Sequence, residues 1–257
     1  MKRRNTVWKH CTTGLLLCLV VGMLSASGCM DDFRSGSQKR TETVAAKELE
    51  PNENWSDISR SVLAGTTSVV QLSQTPIDDQ QLQSIASARS VETLILDSGK
   101  ISDASMTTIG SLISLTHLRV RESAITDAGI EKLVAGGLSR LRIFNLPQSS
   151  ITAQGIRHLL RLPELRQLRL GGRQIDDHAM VEIAKLPKLE SLHLIGPSLT
   201  DAALEMVAVM PEISSLYLDD CHLSDDAWRK LFAAKPNLHV HIDQQHHDRD
   251  PAKHGHK

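Results

Sequence analysis

The chain has 257 residues, of which 29 are basic and 30 acidic, for a formal net charge of -1. That balance excludes a general nucleic-acid binder, which carries a basic excess. Aromatic residues make up only 3%, so the core must be aliphatic, and no uninterrupted apolar run is long enough to span a bilayer as a permanent helix.

The first stretch reads as a targeting segment over residues 1–28. Lys2, Arg3, Arg4 and Lys9 form a positive start, Leu15 to Leu24 an apolar centre, and Ser25-Ala26-Ser27-Gly28 a small-residue end that leads into Cys29. This is the plan of a secretory signal. The closing Ala26-Ser27-Gly28-Cys29 resembles the lipobox of bacterial lipoproteins, although Ala26 stands where that family most often has a bulkier aliphatic. The resemblance implies cleavage before Cys29, lipid on its thiol, and a place in the bacterial cell envelope, facing the periplasm or the exterior. Lipid chains bury about 0.8 kcal/mol per CH₂, so two or three hold a protein firmly on a membrane. The competing reading is an ordinary signal followed by an unrelated cysteine. Cys11 and Cys18 fall in the removed part, which leaves Cys221 without a disulfide partner and with a packing role.

Residues 29–52 are polar and charged and read as a flexible tether. Over residues 53–66, Trp55, Ile58 and Val62 share one helical face and predict a capping helix. Residues 67–243 form a repeat array, and residues 244–257 read as a disordered, His-rich tail.

The array is the dominant signal. A 24-residue phrase starts at Thr67, Val91, Leu115, Leu141, Leu165, Leu189, Ile213 and Asn237, with one two-residue insertion near Ala135-Gly136-Gly137-Leu138. Each phrase has apolar residues at offsets 3 and 5, and all but the first and last also at offset 0, as in Leu165, Leu168 and Leu170, which predicts a strand. An aliphatic follows at offset 10 (Ile175), then Ser, Thr or Asp at offset 11. The next residue is Asp in six repeats: Asp79, Asp103, Asp127, Asp177, Asp201 and Asp225. That pair predicts a helix start, because a hydroxyl or carboxylate accepts free backbone N–H groups and Asp meets the positive helix end. Apolar residues at offsets 15 and 18, such as Met180 and Ile183, supply the buried helix face.

One strand and one short helix per repeat is a leucine-rich repeat. The phrase L-x-x-L-x-L followed by I-T-D-A resembles the cysteine-containing, ribonuclease-inhibitor-like subfamily from Thr67 to Ile242. The resemblance implies an α/β horseshoe solenoid with a parallel concave sheet and convex short helices. At offset 8, where many members carry Asn or Cys in a hydrogen-bonded ladder, this chain has Thr75, Gly99, Ser123, Ser149, Arg173, Pro197 and Cys221. The ladder is therefore expected to be mostly missing, and the insertion to bulge the helical side of the third repeat.

Offsets 2 and 4 point onto the concave face. Their row contains His117, Arg119, Asn145, Gln167, Arg169, His193 and Tyr217, ending in His239 and His241. With Arg121, Arg142 and Arg166 nearby, it reads as a cationic band for an unidentified protein or an anionic envelope ligand. A solvated sheet face needs polar residues in any case and is the plainer reading. No nucleophile-and-base constellation stands out, and the recurring Asp residues follow the helix starts, so no catalysis and no cofactor are expected. The alternative function is periplasmic metal binding by the tail through His246, His247, His254 and His256.

Overall fold

The computed structural model describes residues 54–251. The signal segment, Cys29, the tether, His254 and His256 lie outside the described residues. The helices are α1 (Trp55–Leu63), α2 (Asp79–Gln83), α3 (Ser105–Gly110), α4 (Asp127–Ala135), α5 (Ala153–Leu159), α6 (Asp177–Ile183), α7 (Ala202–Val209) and α8 (Asp225–Ala234). The strands are β1 (Val69–Leu72), β2 (Thr93–Leu96), β3 (His117–Val120), β4 (Ile143–Leu146), β5 (Gln167–Gly171), β6 (Ser191–Ile195), β7 (Ser215–Asp219), β8 (His239–Ile242) and β9 (Gln245–His246). They form one sheet in chain order, with β1 to β8 parallel and β9 antiparallel to β8. A helix after each strand returns the chain to the same edge, which is how parallel neighbours are joined.

Register follows the repeat, so equivalent residues stack: Leu168 pairs with Leu192 and Arg169 with His193. Leu168, Leu170, Ile175 and Ile183 converge inside with no exposed surface. Each such side chain contributes about 2 kcal/mol by leaving water. At the first end, α1 lays Val62, 1% exposed, against the first repeat, with Trp55 and Ile58 partly covered beside it.

The recurrent Asp residues do more than begin helices. Five of the six carboxylates cross to the next repeat and accept both the backbone N–H and the hydroxyl of its offset-11 residue. Asp127 takes the amide of Thr152 at 2.8 Å and its Oγ1 at 2.6 Å. The same fork joins Asp79 to Ser102, Asp103 to Thr126, Asp177 to Thr200 and Asp201 to Ser224. Hydrogen bonds from Ser224 hold the Asp201 carboxyl below its usual value. Burial pushes the Asp79 carboxyl up, and the bonds from Ser102 and Ser105 outweigh it, so the net direction is also down. The fourth repeat lacks this acceptor because Ala153 stands at its offset 12. Across that junction the offset-11 residue is Asp176, which instead caps its own helix through the Ala179 amide at 2.9 Å. Asp78, with no preceding repeat, does the same with Gln81 in a reciprocal capping box.

A hydrogen-bonded ladder therefore exists, at offset 12 and not at offset 8. At offset 8 only fragments remain, such as Ser123 Oγ donating to the Gly99 carbonyl at 3.1 Å. Cys221 is buried there, and burial pushes its thiol up, as befits a packing residue. The insertion lengthens α4 and is absorbed by close backbone approach. A Cβ on Gly136 would stand 2.0 Å from the Gly110 carbonyl oxygen, so α3 and α4 meet glycine to glycine.

The disorder expected from residue 244 gives way to folded chain up to Pro251. Asp243 and Gln244 turn the chain with φ of 48° and 65°, and β9 returns along β8. Three side chains then anchor the segment. His247 packs on Trp228 and Phe232, at ring separations of 4.8 and 5.1 Å. Arg249 grips Asp225 with two bonds of 2.6 and 3.0 Å, filling the place that a further repeat's offset-11 residue would take. Asp250, 1% exposed, accepts the Val240 amide at 2.8 Å. The composition of this stretch is polar, but its polar groups have fixed partners, and that is why it folds.

Candidate functional site

The row named from the sequence is continuous in space. Arg119 stands beside Asn145, Asn145 beside Arg169, Arg169 beside His193, His193 beside Tyr217 and Tyr217 beside His241. His117 and Gln167 lie one step earlier on β3 and β5. The strands fix the spacing, so the row is a preformed surface rather than a loop cluster.

Its chemistry divides into three parts. At the N-terminal side, Asp97 binds Arg119 and lies 3.6 Å from Arg121. Arg119 is therefore already paired with a carboxylate. His117 is pressed toward its neutral form by burial and then by the Arg119 charge. In the middle, Arg169 makes no ion pair among the described residues. Burial, then the Arg121 charge, with Arg119 behind them, presses its guanidinium down, so three cations share this region. At the C-terminal side, His193 Nε2 lies 2.8 Å from Asp219 Oδ2, and Tyr217 sits between the rings of His193 and His241 at 5.4 and 5.0 Å. Burial, opposed by the Asp219 hydrogen bond, leaves His193 lowered.

Arg166 does not join the cationic band. It pairs with Glu190 and, at 3.9 Å, with Glu164, while Lys188 also reaches Glu164, in a network at the strand entrances. Asp97 balances part of the row's positive charge, and Asp219 bonds to His193.

Seven buried side-chain polar atoms among the described residues have no hydrogen-bond partner: Asp97 Oδ1, Arg119 Nε, Arg121 Nε, Asn145 Oδ1, Gln167 Oε1, Arg169 Nε and His241 Nε2. All belong to residues at offsets 2, 4 and 6, the outward side of the sheet. A buried polar atom without a partner costs about 1–3 kcal/mol, and here that cost is gathered on one face. A groove of about 180 Å³ lies elsewhere, between α7 and α8, lined by Asp201, Glu205, Asp226 and Lys230 among others. It is a gap between helices and touches no residue of the row.

The two expected tail ligands among the described residues, His246 and His247, separate. His247 belongs to the aromatic cap on α8 and is lowered by burial and then by Arg249. His246 instead joins His239 and His241, two residues the sequence placed on the concave row but not among metal ligands.

Stacked strand-and-helix turns around an aliphatic core, with a parallel sheet on one side, make this an α/β leucine-rich-repeat solenoid. No protein-family profile matches the chain, and no curated protein does either. Among solved structures, the chain is similar to an internalin from Listeria monocytogenes, with a TM-score of 0.56 at 22% sequence identity. The match covers 73% of this chain and 50% of the internalin chain, so the chain spans half that protein's length. The likeness is one of fold.

Proposed function

We propose that this is an exported, lipid-anchored leucine-rich-repeat protein of the ribonuclease-inhibitor-like kind, which recognises a protein or an anionic envelope ligand non-covalently through its concave face. Cys29 carries the lipid, residues 29–52 hold the domain off the membrane, and the sheet presents His117, Arg119, Asn145, Gln167, Arg169, His193 and Tyr217. The observation that supports this reading is the set of partnerless polar atoms confined to that face. Donors and acceptors left open on a rigid surface are satisfied when a partner supplies the complement, and preformed geometry lowers the entropy cost of binding. Arg169 is the central contact. It is half-buried and lacks a carboxylate, while its neighbours Arg119 and His193 are already paired. The role is recognition without catalysis, with the His193–Asp219 pair serving as part of the contact surface. An anionic segment from another protein fits the arrangement better than an apolar one.

The test uses the full chain and a fluorescent oligoglutamate peptide, followed by anisotropy. Binding that weakens with salt and falls at least tenfold in Arg169→Glu is expected; equal binding by both proteins ends the assignment of the face. The anchor is tested separately by palmitate labelling in a bacterial host, where label that persists in Cys29→Ala removes it.

A further inference from the structure

We propose that His239, His241 and His246 form a binding site for a divalent transition-metal ion of the zinc class at the C-terminal end of the sheet. His239 and His241 are two apart on β8, so they leave the strand on the same side. The turn at Asp243 and Gln244 brings β9 back, and the antiparallel register sets His246 opposite His241. The ring centroids are 4.7 Å apart for His239 and His241, 5.0 Å for His239 and His246, and 4.2 Å for His241 and His246. One ring nitrogen from each falls within 4.8 Å of the others. Three nitrogens bound at about 2.0–2.1 Å to one ion stand about 3–3.5 Å apart, so modest side-chain rotation closes the set.

The surroundings supply what such a site needs. Asp250 is buried behind the rings, and its Oδ2 lies 3.0 Å from His239 Nδ1 and 3.2 Å from His246 Nδ1. A carboxylate against the outer nitrogen of a ligating imidazole fixes the tautomer and ring orientation, a recurrent feature around bound zinc. Asp250 is itself held by the Val240 amide. His241 Nε2 is buried and has no partner. An ion in this position satisfies that nitrogen. Three neutral imidazoles favour zinc, copper or nickel over the oxygen-seeking calcium and magnesium. All three residues are half-buried, so a fourth position is open to water or to a donor from outside. Tyr217, 5.9 Å from His239 and 5.0 Å from His241, borders it. This site is distinct from a tail chelator, since two ligands come from the last parallel strand, and it does not depend on the anionic-partner reading.

The test is titration of the metal-stripped full chain with Zn²⁺ by calorimetry, with Co²⁺ in place of Zn²⁺ for absorption spectra. Expected are one ion in this site per chain, intense visible Co²⁺ bands of a four-coordinate centre, and a loss of affinity of at least about tenfold in both His241→Gln and His246→Ala. The variant His247→Ala/His254→Ala/His256→Ala should retain the binding and the spectrum. Absence of uptake by the unaltered chain overturns the proposal. So does binding indifferent to His241 and His246, or binding lost with His254 and His256. The Co²⁺ spectrum of the unaltered protein stands whether or not a variant folds.

Discussion

Five junctions of this solenoid carry a carboxylate that clasps the next repeat, and one does not. Where Asp79, Asp103, Asp127, Asp177 and Asp201 reach forward, the residue they meet is Ser or Thr. Where Ala153 stands in that place, the residue opposite is Asp176. The two positions are chosen together. A hydroxyl can donate to the carboxylate behind it and still cap the helix ahead, as Thr152 does toward the Gln154 amide at 3.1 Å. An Asp can only accept, so two carboxylates across one junction would repel. The helix start is thus less a local property of one repeat than half of a bond between two.

The largest expected effect is the loss of an occupied clasp. Asp127→Ala removes two charge-assisted bonds and leaves the Thr152 amide short of its acceptor, at a cost of about 3 kcal/mol; urea unfolding followed by circular dichroism should show the earlier midpoint. Next comes the converse. Ala153→Asp sets a second carboxylate against Asp176 and should lower stability by about 2 kcal/mol at neutral pH. Adding Asp176→Thr should restore it, and a double-mutant cycle without favourable coupling would break the pairing rule.

Acidity should separate the two kinds of junction. Asp79 and Asp201 are held below the ordinary carboxylate value of about 3.8 when folded. Their contribution is complete above that value and disappears as pH falls through the lower folded value, so stability followed by circular dichroism should decline in acid below about pH 4. In Ala153→Asp, repulsion raises one carboxyl instead. The variant's deficit relative to the parent should therefore shrink as pH drops through about 4–5, because protonation relieves it. The smallest effect belongs to the backbone. Glu122 holds φ of 52°, and Glu122→Gly should gain about 0.5 kcal/mol after the entropy that glycine adds to the unfolded chain.

The period and its aliphatic positions were enough to name the fold, because a repeat that cannot bury its own face must bury its neighbour's. The Asp residues are visible too, but their regularity by itself predicts only helix capping. The co-selection of Ala153 with Asp176, and of Asp78 with the array's start, was present in the letters and points to the cross-repeat bond. The concave row was legible because strand alternation fixes which residues face out. Which of its cations remain free was not, since Asp97 and Asp219 reach them through side-chain geometry that offsets do not encode. The last stretch was misjudged for a physical reason: composition marks it as soluble, whereas its order rests on a few specific anchors, Asp250 above all.

The returning strand β9 has a consequence for how such a molecule can grow. It occupies the edge of β8 with reversed polarity, so another copy cannot dock there in parallel to make a filament. Lengthening by gene duplication at this end must therefore place new coils ahead of β8, and a newcomer there will fit only if it brings the complement of whatever Asp, Ala, Ser or Thr its two new neighbours already display.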